Sequence, residues 1–145
     1  MSRDTPLTRA AFSHLIEITT RWIDNDAYGH LNNVVYYSFF DTVVNGYLIA
    51  QGALDIANSA VIGLVVETQC NYFKPITFPD RVRAGLAVAQ LGNSSVTYRI
   101  GLFRNDDDTA AAQGHFVHVY IERASSIPVP LPAALKTALQ PLVRG

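Results

Sequence analysis

Residues 14–22 alternate strictly. His14, Ile16, Ile18, Thr20 and Trp22 fall on one side, and Leu15, Glu17, Thr19 and Arg21 on the other. A two-residue period rich in β-branched side chains predicts a strand. The alternation breaks over residues 24–33, a polar stretch containing a glycine, and a helical pattern runs from 33 to 51. Within it Ser38, Asp41, Thr42 and Asn45 make a narrow polar stripe, while nearly every other position is apolar. A helix apolar round most of its circumference is predicted to be enclosed by other structure. Asn32 or Asn33 suits the N-cap, and Gly46 and Gly52 are weak points near the end.

Four further apolar or alternating runs, at 61–73, 81–91, 95–104 and 110–122, predict strands. Lys74-Pro75 closes the first, and Gly92-Asn93 is a tight-turn signal between the second and third. A proline-rich segment at 128–132 is expected to cross the surface before a short terminal helix at 133–142. One buried helix satisfies five strands only if the sheet curls round it. The expected fold class is therefore α+β, a curved, largely antiparallel five-stranded sheet wrapped around one long central helix. With no repeat, low-complexity tract or linker, residues 1–145 read as a single domain.

Composition narrows the function classes. Hydrophobic residues make up 49% and charged ones 16%, which argues against a disordered role. So low a charge fraction points to surface covered by a partner subunit. The net charge of -1 and the lack of a Lys/Arg run give no footprint for nucleic acid or an anionic membrane. Residues 1–9 are polar without a signal core, and no stretch is long and apolar enough to span a bilayer. A cytoplasmic protein is expected. The single cysteine, Cys70, excludes an internal disulfide and reads as a buried structural residue.

The candidate chemistry lies in 24–33, which packs Asp24, Asp26, Tyr28, Gly29, His30, Asn32 and Asn33 just before the central helix. A helix N-terminus offers unpaired N–H groups and partial positive charge, which suit a developing oxyanion. Gly29 permits close backbone approach or a positive φ. A carboxylate and a histidine beside these donors could supply a base or nucleophile and its partner. The alternative is a purely structural turn, with Asp24, Asp26 and Asn32 as turn and capping residues and His30 packed locally.

Residues 21–36 resemble the signature D-x-D-x-x-G-H-x-N-N-x-x-Y of the hotdog-fold thioesterases of the 4-hydroxybenzoyl-CoA thioesterase family. Asn71-Tyr72-Phe73-Lys74-Pro75-Ile76 is similar to that family's aromatic-x-(Lys/Arg)-Pro run, and Ala112-Gln113-Gly114 with His118-Val119-Tyr120 to its last strand. The resemblance implies a hotdog fold and hydrolysis of an acyl-CoA to a free carboxylic acid and coenzyme A. Asp26 stands at the family's catalytic carboxylate, as nucleophile or as base for water. Gly29 and its neighbours occupy the place where a backbone N–H polarises the carbonyl. Where some members carry a tyrosine or histidine seven residues after that Asp, this chain has Asn33. The plant acyl-carrier-protein thioesterases, with a D-x-N-x-H-V-N-N stretch, align their catalytic Asp on Asp26 and their His on His30.

The catalytic set implied is thus Asp26, Gly29 and His30, with Tyr28, Asn32, Asn33 and Tyr36 binding substrate. No metal is implied, and no cofactor beyond the coenzyme A of the substrate. The family's habit of joining two sheets implies a homodimer or homotetramer. A thioesterase acting on acyl carrier protein and a non-catalytic acyl-CoA-binding module are the alternatives.

The other polar positions read more plainly. Asp24 is expected to tie the loop to the strand end, Asp41 to be buried and hydrogen-bonded or at an interface, and Glu67 to face an interface or the site. His14, His115 and His118 are expected to be satisfied strand histidines, since their spacing suits no metal. Lys74, Arg99, Arg104 and Arg123 are surface cations able to meet coenzyme A phosphates. Asp106-Asp107-Asp108 reads as a solvated turn, and Tyr36, Tyr37, Phe39, Phe40 and Tyr72 as core or acyl-pocket walls.

Overall fold

In a computed structural model that describes residues 5–144, the strand alternation resolves into one five-stranded antiparallel sheet. Its strands are β1 (His14–Thr19), β2 (Val61–Tyr72), β3 (Arg81–Leu91), β4 (Ser95–Arg104) and β5 (Ala112–Glu122). They are ordered β1-β3-β4-β5-β2, which leaves β1 and β2 as the edges. The long helix α1 spans Asn33–Ala50, and a short α2 spans Ala133–Leu139. This is the hotdog arrangement, and the expected elements are all present. Residues 1–4 and 145, within the span read as a single domain, lie outside the described residues, as does the start of the polar stretch at 1–9.

The sheet's inner face is built from the predicted alternation. Val82, Ala84, Leu86 and Val88 of β3 and Val96, Tyr98, Ile100 and Leu102 of β4 are fully buried. Against them α1 lays Tyr36, Phe39, Phe40, Val43, Val44, Tyr47 and Leu48, at the spacing that keeps one helix face inward. The sheet covers only that side of α1. Ser38, Asp41 and Thr42 lie on the opposite, exposed face, flanked by Val34 and Ile49. A helix that the sequence marks as wholly enclosed thus keeps one uncovered face.

The first strand is shorter than predicted. It ends at Thr19, and Trp22–Asp24 form a single 3-10 turn. Trp22, which the alternation places with the inward residues, is 76% exposed in consequence. Asp24 causes the break. Its Oδ2 accepts the Arg21 N–H at 2.8 Å and its Oδ1 the Arg21 guanidinium at 2.8 Å, which closes the turn on itself. Among the described residues, no helix is long and apolar enough to cross a membrane.

Candidate active site

The loop between the 3-10 turn and α1 is held from three sides. Asp24, only 2% exposed, uses its carbonyl to accept the Asn32 N–H at 2.9 Å. Asn25 pairs with Leu31 in a small antiparallel bridge. The segment after β2 then clamps the loop from outside: Leu31 N–H donates to the Ile76 carbonyl, Thr77 Oγ1 to the Gly29 carbonyl, and Phe78 N–H to Asn25 Oδ1. The loop's shape is therefore set by backbone bonds to a distant strand end. The predicted structural role of Asp24 is the one it plays.

Inside this frame the chain reverses at Gly29, whose φ of 81° lies in the left-handed region that other residues adopt only with strain. The reversal lets Asp26 N–H donate to the His30 carbonyl at 2.7 Å, closing on the turn in which Gly29 N–H donates to the Asp26 carbonyl at 3.1 Å. Two further amides meet the Asp26 carboxylate. Oδ1 accepts the N–H of Tyr28 at 2.8 Å and that of His30 at 3.3 Å. Oδ2 has no hydrogen-bond partner among the described residues. One carboxylate oxygen is fixed in place and the other is left unengaged.

Asn32 caps α1 as expected, its Oδ1 accepting the Val34 N–H at 3.1 Å. The next amide, Asn33 N–H, has no partner among the described residues. It sits in the first turn, where peptide dipoles leave partial positive charge. The sequence places the candidate donors at Gly29 and His30. The Gly29 and His30 amides are both turned onto Asp26, and the unengaged N–H is that of Asn33.

These residues open onto a cleft of ≈ 870 Å³. Asp26, Tyr28, His30, Asn32, Asn33 and Tyr36 all line it, so six of the seven residues singled out in the sequence share one wall. Gly29 is not on that wall; it shapes the turn behind it. Tyr72, Phe73, Lys74 and Pro75 line it too, which brings the two sequence motifs to one cleft. Tyr36 and Tyr72 meet edge to face at 4.8 Å. Burial raises both phenols above their ordinary value, for Tyr36 against a weaker opposing hydrogen bond from the Ile76 backbone, so both stay neutral donors. The His30 ring has no hydrogen bond among the described residues, and Tyr28 is 87% exposed.

The other candidates separate. Of the four cations, only Lys74 reaches the cleft, and it is paired with Asp107 at 3.2 Å. Arg104 also binds Asp107, so the acidic triplet is an anchor as well as a turn. Arg99 is exposed on β4, and Arg123 is bound to the carbonyls of Ser59 and Ile56. Glu67 pairs with His115 at 3.3 Å, and His14 packs edge-on against Tyr47. Cys70 is half-buried, its thiol pushed up to about 11 chiefly by burial, which suits an inert residue. His118 departs from expectation: its Nε2 is buried without a partner. Among the described residues no group of His, Cys, Asp or Glu could hold a metal ion.

Residues 28–111 match the thioesterase superfamily. The PA5185 protein from Pseudomonas aeruginosa has a crystal structure that matches at a TM-score of 0.94 and 53% identity, over 97% of this chain and 98% of that one. A 1,4-dihydroxy-2-naphthoyl-CoA thioesterase from Synechocystis matches at a TM-score of 0.80 and 18% identity, over 88% of this chain and 96% of that one. At that identity the likeness is one of fold. The Bacillus subtilis protein YsmA is 24% identical over 81% of this chain and 78% of its own length.

Proposed function

The chain belongs to the thioesterase superfamily, and from that premise we propose that it hydrolyses an acyl-CoA thioester to a carboxylic acid and coenzyme A, with Asp26 as nucleophile or general base. One observation carries the reading. Asp26 sits in the cleft with Oδ1 bound by two backbone amides and Oδ2 unengaged. A carboxylate held in this way is pre-aimed, and little freedom is lost when substrate arrives.

The chemistry then follows from the positions. The thioester carbonyl lies against the first turn of α1, with the unengaged Asn33 N–H as the donor to its oxygen. Asp26 Oδ2 either attacks the carbonyl carbon, expelling the thiolate and leaving a mixed anhydride that water hydrolyses to the acid and free Asp26, or takes a proton from an attacking water and passes it to the departing thiolate. The neutral phenols of Tyr36 and Tyr72 border the acyl portion, and Lys74 stands where the coenzyme A arm enters. His30 acts through its backbone N–H, which holds Asp26.

Exposed apolar surface supports a second subunit. Tyr28, which lines the cleft, and Trp22, Ile23 and Val34, close to it in the chain, are all more than two-thirds exposed. The β2 edge carries Leu64, Val65 and Val66 exposed in a row. An unpaired edge with apolar side chains is a template for pairing with another strand. A homodimer joined along β2 covers both features.

Thiol release from a panel of acyl-CoA and acyl-carrier-protein thioesters tests the reading. Turnover of coenzyme A thioesters supports it. Saturable binding without thiol release assigns the chain to the non-catalytic alternative.

A further inference from the structure

A second pocket of ≈ 380 Å³ opens far from Asp26, beside Asn45 and Leu48 in the C-terminal half of α1. At the rise of an α-helix it stands about 20 Å from Asn33. Its body is apolar, walled by Leu48, Leu54, Val61 and Leu135, and its volume lies in the range of small-molecule sites. Four polar side chains interrupt the lining, Asn45, His118, Tyr120 and Arg123.

His118 is 3% exposed. Its Nε2 is sealed in the core with no partner. A bare lone pair is a cheaper orphan there than an N–H, so the ring proton is placed on Nδ1. Nδ1 lies at the pocket wall because residue 63 is a glycine. A Cβ at Gly63 would stand 3.0 Å from Nδ1 and 2.9 Å from Tyr120 Cε1, filling the space in front of the ring. The neighbouring Tyr120 hydroxyl is already engaged with Tyr98 at 2.6 Å. Arg123 lines the pocket, steadied by the carbonyls of Ser59 and Ile56 at 3.0 and 2.7 Å through Nε and Nη2, with the exposed Asp55 carboxylate near enough to feel its charge.

A buried N–H donor and a fixed cation beside an apolar chamber call for an acceptor-bearing, negatively charged head on an apolar tail. We propose that this pocket is a second ligand site for a medium-length carboxylic acid. The carboxylate lies between His118 Nδ1 and Arg123, and the tail lies among the leucines and Val61. The proposal is independent of hydrolysis at Asp26.

Octanoate is the probe, titrated into the full-length protein while the imidazole resonances are followed by long-range proton–nitrogen NMR. The chain's four histidines serve as position markers, with His30 reporting on the Asp26 cleft. Saturable shifts at His118 are expected, with His30 unmoved. Affinity is expected to fall at least about tenfold in His118→Phe, which keeps the wall apolar but removes the donor. Leu54→Trp, which fills the chamber from its edge, is expected to lose binding altogether. Shifts at His30 in place of His118, wild-type affinity in either variant, or octanol binding as tightly as octanoate would each overturn the proposal.

Discussion

Asp26 and Tyr28 are joined by a 2.8 Å hydrogen bond from the Tyr28 amide to Asp26 Oδ1. The companion bond from the His30 amide depends on the chain reversal at Gly29, whose left-handed φ brings that amide back to the oxygen already held by Tyr28. The geometry of the carboxylate is therefore set by backbone, and the Gly29 φ controls the His30 half of it.

Gly29→Ala is expected to strain that reversal by about 1 kcal/mol and to lower kcat/KM more than it lowers stability. Gly29→Asn is expected to be milder, since asparagine tolerates a positive φ better than alanine. Steady-state kinetics beside thermal unfolding of the two variants checks this. Equal effects of both on rate would separate the turn from catalysis.

Asp24 makes its bonds inside the fold, so its loss is expected to act through stability. Asp24→Ala removes the acceptor of the Arg21 amide and guanidinium and is expected to cost about 2–3 kcal/mol. Urea unfolding measures it. A variant that lost turnover at unchanged stability would move Asp24 into the catalytic set.

The uncovered β2 edge predicts a dimer. Val66, 60% exposed beside Leu64 and Val65, is the position to charge. Val66→Lys is expected to halve the mass seen by light scattering and to lower turnover, because the exposed apolar rim of the cleft then has no cover. A wild-type chain that runs as a monomer would refute the arrangement.

His118 makes stability sensitive to acid. Burial holds its imidazole neutral, pushed down to about 4 from an ordinary value of 6.5. The unfolded chain takes up that proton first, so the stabilising contribution is complete above the ordinary value. It is lost as pH falls from 6.5 toward 4, by an amount on the order of 3 kcal/mol. Denaturant midpoints of wild type and His118→Phe at pH 7, 5.5 and 4.5 isolate the effect: the variant is expected to fall less on acidification. Parallel curves would show that His118 does not titrate this way.

Much of this was legible in the sequence because periodicity reports local geometry. The strands from Arg81 onward and the start of α1 fall where the alternation and Asn32 put them. Trp22 was misplaced because a period-two pattern cannot show that the Asp24 side chain folds back on the Arg21 amide. The uncovered face of α1 was hidden for a related reason, since apolar content shows that a surface is to be covered but not by what. In the candidate site, the motif singles out Asp26. The identity of the free amide depended on which N–H groups the turn consumes, and that appears only with the clamp formed by Leu31, Ile76 and Thr77.

The central claim is that the unengaged oxygen of Asp26 does the chemistry. Asp26→Asn keeps an oxygen for the Tyr28 amide and removes only the charge, so the fold is expected to survive. The decisive measurement is thiol release from acyl-CoA substrates by wild type and this variant, with unfolding temperatures in parallel. The account predicts turnover by the wild type and a loss of at least about 10²-fold in the variant at unchanged stability. A folded variant with wild-type turnover would contradict it.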